Sequence, residues 1–296
     1  MTGALDRGDA YRLLREGTAL ADVAAHEVLW VEGPDAVSFL QGLVSQDVEA
    51  MTPGTVARSF LLGPQGKLVA LLWLLRGEDR IGIVTDPGLG STVAETLDRY
   101  RIRVRVRIAE DPRPRFEVWG RDVAAEGWSD VEGLVAALPL RGLGRVLHTG
   151  EPPADLPVVP GEVAEAVRVE EGEPIMGRDV DERTIPQETG LVTAAVSFTK
   201  GCYLGQELVA RIDSRGHVNR HLRGIVVDGQ EVPPAGVELV AGERTVGRLT
   251  SPVFSPGLGA PVGLALVRRE VEPGARVTLR HRGSEIGASV RALPIR

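Results

Sequence analysis

The chain has 296 residues, of which 43% are hydrophobic and 25% are charged, a balance that excludes a disordered, collagen-like or coiled-coil protein. At roughly 150 residues per domain, this length predicts about two domains. Acidic residues outnumber basic ones, and the net charge of −7 argues against the global basic field that drives non-specific binding of nucleic acid. No direct nucleic-acid partner is therefore expected.

The single cysteine and the two lysines are unusual features of the composition. Cys202 is the only cysteine, so an internal disulfide is excluded, as is a zinc or iron–sulfur site built from this chain's thiolates alone. Nearly all basic residues are arginines, since Lys67 and Lys200 are the only lysines. The N-terminal residues include acidic side chains, and no apolar run is long enough to span a bilayer. We expect a cytoplasmic protein in a reducing compartment, with no membrane contact.

The first hundred residues alternate helix and strand signals. Residues 28–31 predict a strand, and the Gly-Pro-Asp at 33–35 opens a predicted helix with its apolar residues on one face. The apolar runs 59–62 and 68–75 flank Gly-Pro-Gln-Gly at 63–66, a sequence typical of a type I turn. These runs therefore predict a hairpin.

The next segment changes from helical to alternating periodicity. Ser91 is a predicted N-cap for a helix that ends near residue 100. Arginine then alternates with Ile or Val over 101–108, which predicts a strand with four guanidinium groups on one face. Such a face either contacts phosphate or forms ordinary ion pairs, and the acidic net charge favours ion pairs. The proline-rich residues 151–161 predict a connection.

The C-terminal quarter consists of short alternating apolar runs separated by Gly and Pro turns, which is the pattern of a small antiparallel barrel or sandwich. The sequence therefore predicts an α+β protein. Residues 1–219 form a lobe of antiparallel sheets with helices, either as one unit or as two subdomains split near 110–160. Residues 220–296 form a C-terminal β-barrel domain.

Residues 168–223 are dense in charge, Gly and Pro, a composition that marks a site on loops. Within this segment Lys200 precedes Cys202 by two residues, and a cation at that spacing lowers a thiol pKa. The alternative is a buried, inert cysteine. His217 and His221 stand four residues apart without an evident third ligand, so we expect polar loop histidines and no metal site. The three remaining histidines, His26, His148 and His281, have no constellation around them in the sequence.

The octapeptide KGCYLGQE at 200–207, with VSFT before it and VARID and GHVNRHLRGI after it, resembles the signature of the YgfZ family. These are folate-binding proteins of iron–sulfur protein maintenance, within the superfamily of the glycine-cleavage T-protein, an aminomethyltransferase. RVEEG at 168–172, IPQETGL at 185–191, GPQGKL at 63–68 and GPDAVSFLQGLVSQDV at 33–48 extend the resemblance over most of the chain. The resemblance implies a T-protein-like lobe and a ligand cavity where this lobe meets the barrel.

The resemblance further implies tetrahydrofolate, or a one-carbon derivative of it, as the ligand. Glu170 stands where the superfamily binds the pterin, and a carboxylate suits the adjacent N–H donors of an aminopyrimidinone edge. A structural ion pair of Glu170 with Arg168 or Arg178 is the alternative reading. Arg211, Arg215, Arg220 and Arg223 are candidates for the folate tail. The residues expected to bind folate are Glu170, Arg168, Tyr203, Gln206, Glu207, Arg211 and Arg223.

The function that the resemblance implies is assistance in the assembly or repair of iron–sulfur clusters in client enzymes, including tRNA-modifying ones. Cys202 would be the redox or transfer thiol and Lys200 would tune its ionisation. The expected partners are iron–sulfur client enzymes or assembly proteins. Two alternatives stay open: a folate-dependent aminomethyltransferase or demethylase, and a non-catalytic interaction module with a vestigial folate pocket. Residues 67–70 hold no carboxylate where the T-protein has its catalytic aspartate, which argues against aminomethyl transfer.

Overall fold

The computed structural model describes residues 5–123 and 126–296, apart from the side chain of Arg215. The helices within this part are α1 (Arg7–Glu16), α2 (Ala36–Gln41), α3 (Gly90–Asp98), α4 (Gly161–Glu171), α5 (Val192–Ala195) and α6 (Gln206–Arg215), with one 3-10 helix at Pro186–Thr189. The described residues contain no helix that is both long enough and apolar enough to cross a membrane.

Strands make up most of the regular structure. In chain order they are β1 (Thr18–Ala21), β2 (Glu27–Glu32), β3 (Val56–Leu62), β4 (Leu68–Arg76), β5 (Arg80–Thr85), β6 (Arg107–Glu110), β7 (Arg115–Gly120), β8 (Trp128–Asp130), β9 (Leu134–Ala137), β10 (Gly144–Thr149), β11 (Val158–Val159), β12 (Arg220–Val227), β13 (Glu238–Ala241), β14 (Arg244–Arg248), β15 (Val253–Ser255), β16 (Ala260–Arg268), β17 (Arg276–His281) and β18 (Ser284–Arg291).

The first sheet is antiparallel and has the order β3-β4-β5-β2-β6. The predicted hairpin is confirmed, because β3 and β4 pair directly and the amide of Gly66 donates to the carbonyl of Gly63 at 2.9 Å. The predicted strand at 28–31 lies within β2. One face of the sheet packs against α2 and α3, and Leu29, Leu40 and Ile83 are fully buried between them.

The second sheet has the order β11-β1-β7-β10-β9-β8 and is antiparallel apart from the β1–β11 pair. Helices α1 and α4 cover it, with Leu14, Trp119 and Val163 buried in the shared core. Strand β7 carries a glutamate, Glu117, in an otherwise aromatic and apolar run, and this glutamate is buried. A buried carboxylate therefore lies on an inner strand of the second sheet.

The third sheet is antiparallel, with the order β14-β13-β17-β18-β12-β16-β15. A bridge between Leu249 and Ala265 connects the end of β14 to β16, so the sheet curls back on itself in a barrel-like form. Its inner face is filled by small branched residues such as Ile225, Leu239 and Val267. The three sheets and few helices confirm the predicted α+β class, with a barrel-like C-terminal part.

Two local predictions were wrong. The alternating arginine segment forms a strand only from Arg107, because Arg103 has a φ of 58° and interrupts the extended backbone. The guanidinium of Arg105 pairs with Asp35 at 3.0 Å, which agrees with the ion pairs that were favoured for these arginines. Helix α3 begins at Gly90 rather than after a Ser91 cap, and the carboxylate of Glu27 accepts its first amide at 2.6 Å.

Candidate functional site

A cavity of about 530 Å³ lies between the first two sheets and the segment that follows α4. Its wall combines the residues after β1, the end of β5, strands β7 and β10, the N-terminal turns of α4 and the loop at 173–178. The lining residues are Asp22, Val23, Ala24, His26, Asp86, Pro87, Glu117, Trp119, Arg145, Gly161, Glu162, Glu165, Arg168, Glu173, Pro174, Ile175 and Arg178. Ten of these seventeen residues have ionisable side chains, so the wall is more highly charged than that of most small-molecule sites.

One end of the cavity holds a histidine between two carboxylates. His26 Nδ1 lies 2.6 Å from Glu117 Oε1, and the backbone amide of His26 donates to the same oxygen at 2.9 Å. The other ring nitrogen, Nε2, lies 3.6 Å from Asp86 Oδ1. Despite its burial, Glu117 has its pKa lowered to about 2 by the charge of His26, hydrogen bonds from His26 and the charge of Arg145.

Asp86 is a buried carboxylate at the end of β5. Its Oδ2 accepts the backbone amide of Met176 at 2.8 Å, while its Oδ1 makes no hydrogen bond within the described residues and lies 3.6 Å from His26 Nε2. Burial raises the pKa of Asp86, and the nearby charge of Glu173 acts in the same direction. Strand β5 and the loop at 173–178 therefore hold Oδ1 of Asp86 at the cavity wall without giving it a hydrogen bond.

Arg145 contributes an unsatisfied donor on the same wall. The side chain is buried, its Nε donates to the carbonyl of Leu138 at 2.8 Å, and its Nη2 makes no hydrogen bond within the described residues. The closest carboxylate oxygen, Glu173 Oε1, lies 3.5 Å from Nη2, while Glu173 Oε2 accepts from Arg58 at 2.7 Å. A buried guanidinium N–H without a partner is rare, because the desolvation of an unpaired donor is costly.

Arg168 lies in the wall of this cavity, as one of the predicted site residues. Its guanidinium is already engaged by Glu165 at 2.7 Å, by Asp179 at 2.9 Å and by the carbonyl of Glu173. Burial opposes its charge, but these carboxylates raise its pKa further above the usual arginine value. Arg168 therefore fixes the loop after α4 to the helix.

Glu170 lies on the opposite side of α4 from Arg168 and lines a different cavity, of about 420 Å³. Its carboxylate is fully partnered, because Tyr11 donates to it at 2.7 Å and Arg15 and Ser255 also bind it. Burial and Glu170 together raise the pKa of Tyr11 to about 12. The carboxylate predicted to bind the pterin is thus occupied by side chains from α1 and β15.

The octapeptide packs against the first sheet, away from the cavity wall. Lys200 Nζ donates to three backbone carbonyls, those of Gln41, Val44 and Gln46, at 2.7–2.8 Å. Burial lowers the pKa of Lys200 to about 8. All three ammonium hydrogens are used on the loop after α2, so Lys200 fastens this loop to the octapeptide.

The other predicted site residues are spread over this region. Cys202 is exposed, which fits the reactive alternative rather than the buried one. Tyr203 is half-buried, burial raises its pKa to about 12, and its backbone amide donates to Gln206 Oε1 at 3.1 Å. Glu207 and Arg211 are exposed on α6, and Arg223 lies on β12 with its Nε buried and unpartnered among the described residues.

The remaining predicted residues are two arginines proposed for the folate tail and the pair His217 and His221. Arg220 pairs with Glu188 at 2.8 Å, and the side chain of Arg215 lies outside the described residues. Within the described residues no group of three or more His, Cys, Asp or Glu is placed to hold a metal ion. His217 is exposed and His221 is half-buried on β12.

The expectation that His26 has no cluster of functional side chains around it was wrong. Its two carboxylate partners lie 60 and 91 residues further along the chain, so no local pattern contains them. Two signals were nevertheless present. Glu117 is a charged residue inside the apolar strand β7, and Asp86 directly follows the buried strand β5. A carboxylate at either place needs a partner or a function, because burial of an unpaired charge is expensive.

Comparisons with known proteins agree with this fold. Residues 220–295 match the model of the glycine cleavage T-protein C-terminal barrel domain. An aminomethyltransferase of Nostoc sp. is 25% identical over 299 residues, which cover 87% of this chain and 78% of the relative. An aminomethyltransferase of Chlorobium luteolum is 25% identical over 327 residues, which cover 96% of this chain and 88% of the relative.

The crystal structure of the glycine cleavage system aminomethyltransferase T from Bartonella henselae superposes with a TM-score of 0.83. The match covers 97% of this chain and 89% of that chain at 21% identity. The chain therefore has a T-protein-like fold. Together with the barrel-domain match and the sequence relatives, this likeness supports the glycine-cleavage T-protein superfamily for this protein.

Proposed function

We propose that this protein binds tetrahydrofolate, or a one-carbon derivative of it, in the cavity between the first two sheets. The observation that carries the proposal is the pair of unsatisfied groups on one wall, the carboxylate oxygen Oδ1 of Asp86 and the guanidinium Nη2 of Arg145. Both residues are buried and line the cavity, so they bring one carboxylate and one guanidinium to its wall.

These two groups fit the chemistry of a reduced pterin. Its aminopyrimidinone edge presents adjacent N–H donors, one of which Oδ1 of Asp86 can accept, and a carbonyl oxygen, which an arginine N–H such as that of Arg145 can bind. Trp119 and Ile175 supply apolar wall for the ring. The cavity volume of about 530 Å³ is within the usual range for small-molecule sites.

Glu170 remains the competing pterin ligand, as the resemblance to the superfamily implies. Binding there requires the ligand to displace Tyr11, Arg15 or Ser255 from the carboxylate. The cost of displacing a buried ion pair disfavours this arrangement relative to a free oxygen on Asp86. The two placements predict opposite outcomes for single carboxylate-to-amide variants.

We further propose that folate binding serves the maintenance of iron–sulfur proteins, as in the YgfZ family. The support is the octapeptide KGCYLGQE and the exposure of its thiol, Cys202. Such a thiol is accessible to a partner protein, and the partners would be iron–sulfur client enzymes, including tRNA-modifying ones, or assembly proteins. A single thiolate holds no cluster alone, so any cluster contact is shared with the partner.

A folate-dependent aminomethyltransferase is the second candidate, and one observation favours it. The turn after Gly66 lacks a carboxylate, yet Asp86 brings one to the cavity from the end of the neighbouring strand β5. The relatives that are named aminomethyltransferase align over most of the chain. This candidate requires turnover of an aminomethyl or N-methyl donor with tetrahydrofolate, which iron–sulfur maintenance does not.

Thermal unfolding with and without 5-formyltetrahydrofolate tests the binding proposal. At a ligand concentration about a hundredfold above Kd, one bound ligand should stabilise the native protein by about 2.7 kcal/mol. Tetrahydrofolate-dependent release of ammonia from an aminomethyl donor separates the transferase from a protein that only binds folate. Absence of any thermal shift would support the interaction module with a vestigial pocket.

A further inference from the structure

His26, which directly precedes β2, is held in place by the carboxylate of Glu117 on β7. Glu117 Oε1 accepts both the backbone amide and the Nδ1 of His26, at 2.9 and 2.6 Å. Glu117 Oε2 accepts the indole N–H of Trp119 at 2.8 Å. Glu117 therefore has three hydrogen-bond partners, and because its lowered pKa keeps it ionised, the contact with His26 needs a proton on Nδ1.

This arrangement leaves Nε2 as the ring nitrogen that is open to exchange. Asp86 Oδ1 lies 3.6 Å from Nε2, which is beyond a normal hydrogen bond. His26 and Asp86 both line the cavity of about 530 Å³ and also border a narrow crevice next to it. In its neutral form the ring therefore offers the lone pair of Nε2, beside a carboxylate oxygen, to a ligand in the cavity.

The charged groups nearest His26 are three carboxylates and one guanidinium. Asp86 follows β5 and Glu117 lies on β7, while Glu173 comes from the loop after α4. Arg145 on β10 is the opposing cation at this end of the cavity, and it is shared between Glu117 and Glu173. Arg168, Arg178, Glu162 and Glu165 line the α4 side of the same cavity, where the two arginines pair with Glu165.

We propose that His26 is the proton-accepting residue of this cavity, positioned by Glu117 and assisted by Asp86. This inference rests on the proposed function in that the ligand carrying the proton is a reduced folate or its one-carbon donor. An N–H or O–H bond of the ligand breaks, its electron pair stays on the ligand atom, and the proton forms an Nε2–H bond. The resulting imidazolium lies between two carboxylates, which stabilise its charge.

Nitrogen-15 NMR of labelled histidine tests the geometry without a ligand. At pH 8 the His26 ring should be the Nδ1–H tautomer, with Nε2 unprotonated, and loss of the signal in His26→Gln assigns it among the five histidines. A ring that carries its proton on Nε2, or one that stays doubly protonated from pH 5 to 9, would overturn the proposal.

A second measurement tests the exchange with ligand. Calorimetric titration with 5-formyltetrahydrofolate, in buffers of different ionisation enthalpy, gives the number of protons exchanged on binding. This number should be non-zero near pH 7 in wild type and close to zero in His26→Gln, with less than about a tenfold change in Kd for a hydrogen bond of ordinary strength. His148→Gln is the matched control, because His148 is half-buried and stacks on Phe116 outside the cavity wall.

Equal proton numbers in wild type and His26→Gln would refute the proton-accepting role. Absence of any binding heat in wild type would instead contradict the proposed function. The NMR measurement gives the tautomer of His26 whether or not folate binds. Failure of the proton-accepting role is therefore distinguishable from failure of the proposed folate binding.

Discussion

Gly66 and Gly205 interlock: a Cβ on Gly66 would lie 2.8 Å from the carbonyl oxygen of Gly205, and one on Gly205 would lie 3.0 Å from the Cα of Gly66. Gly66 closes the β3–β4 hairpin and Gly205 precedes α6. Both have positive φ, at +74° and +78°. The two turns that carry the most diagnostic sequence of the chain therefore touch backbone to backbone, which a side chain at either position would prevent.

We expect Gly66→Ala and Gly205→Ala to destabilise the protein by about 2–4 kcal/mol each, through φ strain and the close approach together. Gly54→Ala is the matched control, because Gly54 has a φ of +88° but open space around its Cβ position. It should cost about 1 kcal/mol. Denaturant unfolding measures all three, and equal losses at Gly54 and Gly66 would show that the interlock contributes nothing.

Lys200 should stabilise the loop after α2 through its three hydrogen bonds to backbone carbonyls. Lys200→Met leaves three carbonyl oxygens, those of Gln41, Val44 and Gln46, without their shared donor, and should cost about 3 kcal/mol. Hydrogen exchange of residues 41–47 should accelerate. Lys67→Met is the control at the exposed second lysine and should change neither quantity. Unchanged exchange in Lys200→Met would favour the simpler role of tuning the thiol.

Asp86 should cost the protein stability at neutral pH. Its pKa is raised on folding, so the stability that its protonated form contributes is present at low pH and is lost as pH rises through the folded value. Asp86→Asn should therefore raise the free energy of unfolding, and with it Tm, more at pH 7.5 than at pH 4.5, with a limit of about 1.4 kcal/mol for each unit of pKa elevation.

Glu117→Gln should have the opposite pH dependence. The pKa of Glu117 falls from 4.5 to about 2, so its contribution is full above 4.5 and is lost as pH falls toward 2. The variant should be less stable than wild type at pH 7.5, and the deficit should shrink in acid. Parallel Tm profiles for the Asp86 and Glu117 variants would refute the assigned electrostatics.

Cys202 should be dispensable for folding and for ligand binding. The thiol is exposed, so Cys202→Ser should leave Tm and the affinity for folate unchanged. The same variant should fail to restore iron–sulfur enzyme activity in a strain that lacks this protein, if the thiol serves that function. Ser214→Ala, another small exposed polar position, is the control. Full restoration by Cys202→Ser would remove the thiol from the proposed function.

The fold was largely predictable because its signals are local. Alternating apolar runs and Gly-Pro turns mark the strands, and the hairpin at Gly63–Lys67 follows from four residues. The arginine segment failed because a period of two requires an extended backbone, and Arg103 at φ 58° breaks it. The division at residue 219 into two domains stays a prediction.

The cavity was not predictable to the same degree, because its groups converge from distant parts of the chain. Arg168 lies in its wall, but His26, Asp86, Glu117 and Arg145 meet only through the pairing of strands in two sheets. The dense segment after Arg168 holds the octapeptide, whose visible role in the structure is to join the β3–β4 hairpin and the loop after α2. The segment dense in charge, Gly and Pro therefore contains both a structural junction and the exposed thiol of Cys202.

The most direct test of the central claim is calorimetric titration of 5-formyltetrahydrofolate into wild type, Asp86→Asn and Glu170→Gln. Wild type should bind one ligand, and Asp86→Asn should bind about 10- to 100-fold more weakly, the loss expected for a hydrogen bond to a charged group. Glu170→Gln should keep wild-type affinity and lose stability instead. Absence of binding by wild type, or loss of affinity in Glu170→Gln alone, would contradict folate binding in the cavity at Asp86.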